Sequence, residues 1–192
     1  MTKTAFTLAA LALATAGAHA QPSGSNVTQA GTYGLLSIGQ GHLDSDCTGV
    51  QACDRSATGG KALLGYSFGN GFSVEGGYTT FGRFRASQGA VGLNARPEAA
   101  SLGGAFTAEL SPSWALTGRL GVARVRTQVG ADVGVLSGSD SESKTQPMAG
   151  LALNYALSPT TRIELGVDAT RAQYQGERSN VRLVSLGARV AF

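Results

Sequence analysis

Along most of this chain the residues alternate with a period of two, and the charged ones keep to one of the two faces. From Phe72 to Thr80, Phe72, Val74 and Tyr78 share one face while Ser73, Glu75, Gly77 and Thr79 share the other, the pattern of a strand with two unlike sides. The same alternation runs through Lys61 to Phe68, Leu102 to Leu110, Trp114 to Val122, Gly150 to Leu157, Thr161 to Asp168 and Val184 to Phe192. Thr32 to Gln40 is an eighth candidate strand, in which Leu35, Leu36 and Ile38 leave the two faces undistinguished. After the first twenty residues no apolar run reaches the 18 or so that a membrane-spanning helix requires.

The charged face carries Lys61, Glu75, Glu109, Arg119, Arg162, Glu164, Asp168 and Arg189, four of each sign, and the opposite face is nearly uncharged. A soluble barrel would turn its apolar face inward. An Arg or Lys on a lipid-facing wall near the bilayer midplane costs about 2–4 kcal/mol, so the charged face is expected to line a lumen. A lumen as narrow as eight strands allow forces such charges to pair, and the balance of signs permits it.

Connection lengths supply the topology. Gly69-Asn70-Gly71, Ser111-Pro112-Ser113 and Ser158-Pro159-Thr160 are tight turns by their residue types. Between them lie four long connections, roughly 41–60, 82–97, 126–146 and 171–180, rich in Gly, Ser, Asp and Asn; Ser137 to Lys144 reads as a mobile, solvated stretch. Short and long connections in strict alternation describe an all-β fold, an eight-stranded antiparallel up-and-down transmembrane β-barrel with short periplasmic turns and long external loops. Tyr33, Phe68, Phe72, Trp114, Tyr155 and Phe192 fall at the strand ends nearest the short turns or the termini, and are expected to form a periplasmic aromatic girdle.

Met1 to Ala20 has the layout of a secretory signal: Lys3, an apolar stretch from Ala5 to Gly17, and small residues at Ala18 and Ala20. The expected domain division is therefore a signal peptide over 1–20 and a barrel over 21–192. Of the chain's 15 Lys and Arg, 14 remain beyond Lys3 against 12 Asp and Glu, without the massed basic face of a nucleic-acid binder. Cys47 and Cys53 belong to the exported part and are expected to form a disulfide. Their spacing, with His42 as the one remaining histidine, does not make a metal site, so neither metal nor cofactor is expected. Glycine reaches 28 of 192 residues, about double its usual share. Much of the excess lies inside strands, as at Gly65, Gly103, Gly104, Gly118, Gly121 and Gly150, where a curved wall needs bends and long lumen side chains need room.

The succession Lys61-Ala62-Leu63-Leu64-Gly65-Tyr66, Phe72-Ser73-Val74-Glu75-Gly76-Gly77-Tyr78, Arg119-Leu120-Gly121, Leu153-Asn154-Tyr155-Ala156-Leu157-Ser158-Pro159 and Ser185-Leu186-Gly187-Ala188, closed by Phe192, resembles the OmpA-like family of outer-membrane barrels across essentially the whole mature chain. The resemblance implies the cell outer membrane, and insertion by the barrel-assembly machinery through a last strand ending in an aromatic. It also implies a lumen ion pair between Glu75 and Arg162. Glu109 and Asn154 stand where relatives carry a base and an acid, so the family's second pair is broken, with Arg119 and Arg189 as substitutes. The family's periplasmic domain is not expected in a chain that stops at Phe192.

The function expected is a structural and surface-interaction role, with external loops meeting lipopolysaccharide, host molecules or phage around a charge-plugged lumen. A small gated ion channel is the alternative. Arg124, Arg126 and Arg182 lie at the outer rim, at the height of lipopolysaccharide phosphates, either to bind them or to snorkel. A monomer is expected, and no enzyme: His42 reads as a solvated loop residue without a strand-borne serine, and pairing accounts for the inner carboxylates.

Overall fold

The computed structural model describes residues 30–44, 52–88, 91–133, 136–174 and 177–192, and regular structure among them is entirely β. The strands are β1 Gly31–Leu43, β2 Ala52–Asp54, β3 Ser56–Ser67, β4 Phe72–Thr80, β5 Phe84–Gln88, β6 Val91–Glu109, β7 Trp114–Val133, β8 Leu136–Ala156, β9 Thr161–Tyr174 and β10 Glu177–Ala191. Every pairing is antiparallel, and β1 against β10, from Tyr33↔Ala191 to Leu43↔Val181, closes the sheet on itself. Met1 to Ala20, expected to be a signal peptide, Cys47 and the side chain of Cys53 lie outside the described residues.

Ten segments make eight wall strands. β4 pairs with β6 from Phe72↔Phe106 to Thr80↔Glu98, and β5 resumes on the same partner from Phe84↔Ala95 to Gln88↔Val91. Between them Phe81-Gly82-Arg83 faces only Arg96-Pro97, which is one residue too many and makes a bulge. Pro97 explains its position: the proline has no N–H to give the ladder, and only its carbonyl takes part, accepting from Phe81 N at 3.1 Å. Gly82 supplies the bend with a φ of 94°, in the left-handed region. Phe81 keeps the inward parity of Thr79, and the extra residue resets the alternation so that Phe84 turns inward too. In the same way β2 and β3 are one strand interrupted at Arg55, β2 pairing with β5 and β3 with β4.

The three tight turns form as their residues require. Gly69 and Gly71 take positive φ of 81° and 87°. Ser111 and Ser158 accept, through their hydroxyls, the N–H groups of Trp114 and Thr161. The long connections depart from expectation, because most of their residues continue the ladder. β7 and β8 stay in register from Trp114↔Tyr155 to Val133↔Leu136, so Ser137 to Lys144 is a paired strand rather than a mobile loop. Their 20 and 21 residues far exceed the 9–11 that cross a bilayer, so the hairpin stands well beyond the membrane. Ser, Thr and charged residues are tolerated there because backbone pairing needs no apolar side chain.

Leu36, Ile38, Leu64, Leu102, Leu120 and Leu186 are among the large apolar side chains exposed on the outer wall, as a lipid-facing surface requires. The interior has two layers. Toward the short turns it is polar. Toward the hairpins it is an apolar cluster in which Phe81, at 0 % exposure, and Phe84 pack with Val125, Val181 and Leu183. Phe81 enters across Gly41, where a Cβ would fall 1.8 Å from its carbonyl oxygen, a contact only glycine permits.

Candidate functional site

The polar layer is built by alternation on four wall strands and completed by contacts across the lumen. Lys61 on β3 places Nζ 2.6 Å from Asp168 Oδ2 and 3.5 Å from Glu164 Oε1, both on β9. Arg119 on β7 donates through Nη2 to Glu164 Oε2 and through Nε to Glu75 Oε2, each at 2.7 Å. All five side chains are buried. Two cations thus hold three carboxylates in one chain of ion pairs, with Tyr33 Oη donating to Glu75 Oε1 at 2.6 Å. Arg189 lies with its guanidinium 3.6 Å from the centre of the Tyr33 ring, a cation–π contact.

Glu75 therefore meets Arg119 and not Arg162. The register gives the reason: Glu75 stands opposite Gly103, and Gly103 opposite Gly121, so no side chain intervenes between Glu75 and Arg119, two residues along β7. Arg162 is only the second residue of β9, close to the short turn, directly across from Arg189. The acid beside it is Glu109, which is exposed at the turn end of β6. Asn154, where the family resemblance places an acid, donates to Thr117 Oγ1 at 3.0 Å and so joins a neutral step with Thr107.

Tyr33 corrects the girdle. It is 3 % exposed and points into the lumen, because it shares the inward parity of Leu35 and Ser37 and finds a slot over Gly65, where a Cβ would lie 2.3 Å from its Cζ. Phe68, Phe72, Trp114, Tyr155 and Phe192 do face outward at the turn end. They are joined by Tyr66 and Phe106, whose rings lie 5.5 Å from Phe68 and 4.8 Å from Phe72. The sequence signal for Phe106 was its period-two position, visible once Phe72 is known to be its cross-strand neighbour.

At the hairpin end of the wall, Arg124 and Arg126 point outward from β7, with Arg126 Nη2 3.4 Å from Ser141 Oγ. Glu98, opposite Arg126 in register, accepts from Tyr78 Oη and pairs with Arg96 Nε at 3.0 Å. Arg182 pairs with Asp44. His42 is not a loop residue: it lies on β1, with Nδ1 3.0 Å from Ser56 Oγ on β3. A strand-borne serine partner is thus present, contrary to the expectation, while the neighbouring carboxylate, Asp44, is engaged by Arg182. Among the described residues no three His, Cys, Asp or Glu gather as a metal site would require.

A closed wall of eight antiparallel strands, apolar outside and ion-paired within, meets one family model: that of the OmpA-like transmembrane domain, over residues 28–192. The chain belongs to the OmpA-like transmembrane family. Its place is the outer membrane. The OmpA-like fold superposes on Ail of Yersinia pestis with a TM-score of 0.57 at 17 % identity, over 84 % of this chain and 99 % of that one. Neisserial surface protein A gives 0.56 at 17 %, over 84 % and 97 %. The N-terminal barrel domain of Pseudomonas aeruginosa OprF gives 0.51 at 13 %, over 85 % and 100 %. No curated protein sequence matches this OmpA-like chain.

Proposed function

We propose that this barrel works at the cell surface, its external hairpins and basic rim contacting lipopolysaccharide or other polyanionic surface ligands, while the lumen is plugged. The observation that carries the reading is the double seal of the interior. The ion-paired layer of Lys61, Glu75, Arg119, Glu164 and Asp168 lies beneath an apolar layer around Phe81 and Phe84. With transport disfavoured, the surface left to act is the long hairpins and the rim arginines Arg124, Arg126 and Arg182. Ail, whose fold is similar, has been crystallised with the heparin analogue sucrose octasulfate, which supports a polyanion as the class of ligand. The test is migration of the refolded protein on native gels with purified lipopolysaccharide. A shift that Arg124→Gln and Arg126→Gln together abolish supports the reading, and no shift for the parent protein removes it.

The reading includes several further elements. Met1 to Ala20 is removed on export, Cys47 and Cys53 clip the first external connection, Phe192 serves the barrel-assembly machinery, and the barrel acts as a monomer without catalysis.

A gated ion channel is the second reading, and one observation favours it. Beside Thr79, Asp168 and Arg119 lies a cavity of about 30 Å³, room for a single water. Asp168 Oδ1 and Arg119 Nη1 face the interior with no protein partner. Planar-bilayer recordings separate the two: a stable conductance in the parent protein favours the channel, and silence favours the plug.

A further inference from the structure

The outer wall is not evenly clad. A hollow of about 670 Å³ runs across β6 to β9, floored by Gly104, Gly118, Ala149 and Ala169 and walled by Phe106 and Leu151. A second hollow, of about 380 Å³, shares Leu120, Ala149 and Ala169 with it and continues to Arg171 and Arg182. The two follow one hydrogen-bonding row, Val74↔Gly104↔Leu120↔Ala149↔Ala169↔Arg182. Strands in such barrels tilt by about 35–45°, so a row perpendicular to them climbs obliquely. This one rises from the girdle end of β4 to the basic rim of β10.

Two of the floor glycines have no explanation inside the protein. A Cβ on Gly104 would meet nothing nearer than 3.8 Å, and one on Gly118 nothing nearer than 3.9 Å. Gly65, Gly103 and Gly121 differ, for there a Cβ would fall within 2.5 Å of a neighbour, while Gly34 and Gly76 are open like the floor pair but lie outside the hollow. Glycine in a strand interior weakens it, and at these two positions the side chain that is missing would have filled the hollow. The head of the hollow has the opposite chemistry. Arg171 and Arg182 both face outward there; Asp44 engages Arg182 at Nη2, and a guanidinium has further N–H donors to offer an oxyanion.

We propose that this hollow is a site for one lipid molecule of the outer leaflet, with an acyl chain along Leu120, Ala149 and Ala169 and an anionic phosphate between Arg171 and Arg182. The apolar trough selects a hydrocarbon chain, and the two guanidiniums at its upper end select a phosphate-bearing headgroup over a neutral one. The inference needs the wall to face lipid, which the barrel provides. It shares Arg182 with the basic rim proposed above but does not need lipopolysaccharide on Arg124 and Arg126, so loss of the gel shift with Arg124→Gln and Arg126→Gln and loss of the lipid site are separate outcomes.

The experiment is electron paramagnetic resonance on the refolded barrel in dimyristoylphosphatidylcholine vesicles containing a trace of chain-labelled phosphatidylglycerol or, separately, chain-labelled phosphatidylcholine. The expected result is a motionally restricted component in excess for the anionic label, saturating near one lipid per barrel. Arg171→Gln with Arg182→Gln is expected to weaken that component about tenfold. Ala149→Phe with Ala169→Phe, outward changes that fill the trough, is expected to remove the excess of the anionic label and leave the restriction that both labels share along the rest of the wall. Excess inorganic phosphate is expected to leave the anionic excess in place. Equal restriction of both labels, indifference to the trough variant, or displacement by free phosphate overturns the proposal. So does a restricted component that appears only with self-association of the barrel, which makes the hollow a contact between copies. Heat-dependent gel migration of each variant shows that it has folded.

Discussion

At the scale of single residues, the interior turns on which partner each charge finds. Alternation alone puts Lys61, Glu75, Arg119, Glu164 and Asp168 on one face, but the pairing of Glu75 with Arg119 depends on Gly103 and Gly121 clearing the space between them. Arg119 binds two acids at once. Arg119→Gln is therefore expected to leave Glu75 and Glu164 short of a counter-charge and to destabilise the barrel by about 3–5 kcal/mol, read as a lower urea midpoint for unfolding from lipid vesicles. Tyr33→Phe keeps the ring in its slot over Gly65 and beneath Arg189 and removes only the hydroxyl on Glu75. A smaller loss of about 1–3 kcal/mol is expected by the same measurement. If Tyr33→Phe costs as much as Arg119→Gln, the hydroxyl and not the ion pair anchors the network. Tyr33 also shows what a sequence leaves open: near a terminus its parity was masked by Leu35, Leu36 and Ile38, and only the cross-strand glycine at 65 reveals which side has room for a ring.

At the scale of elements, the bulge between β4 and β5 accounts for most of what periodicity could not foresee. Phe81 keeps the inward parity of Thr79, and the one extra residue against Pro97 brings Phe84 inward beside it, so that the upper lumen is an apolar layer rather than a continuation of the polar one. Gly82→Val would force a branched side chain into a φ of 94° and place its Cβ 2.6 Å from that of Ala57. The expected cost is at least about 1–2 kcal/mol, and the same substitution at the nearby exposed Arg83 serves as the control. Phe81→Ala empties the centre of the apolar layer and is expected to cost about 3–5 kcal/mol. If the ion-paired layer seals the lumen independently, planar-bilayer recordings of Phe81→Ala stay silent; a new conductance would show that the apolar layer is the principal barrier. A tight turn such as Ser158-Pro159-Thr160 was legible because its chemistry is local. The bulge was not, because it arises from a proline on the facing strand, fifteen residues further along.

At the scale of the whole molecule, the barrel combines a membrane-spanning band with hairpins that outgrow it. The band needs only about ten residues per strand, so removing the in-register outer arms of β7 and β8, from Gln128 to Ser141, is expected to leave a folded barrel. The check is retained heat-dependent gel migration, and its loss would mean that the outer ladder is needed to close the wall. The serine- and aspartate-rich composition of these arms reads as loop because period-two patterning is informative only where the two faces meet different media. In water both faces are polar, and the strand character of Ser137 to Lys144 becomes visible only through its pairing with β7. The sequence by itself determined the eight-stranded plan, the lumen side of the charges and the outward side of the apolar residues, because a bilayer outside and a narrow interior impose opposite chemistries on alternate residues. Tertiary structure alone decided the partners of those charges, the inward turn of Tyr33, the apolar layer above them and the hollow on the outer wall. Each of these depends on register between strands distant in sequence, and register is set by closure of the whole sheet rather than by any one segment.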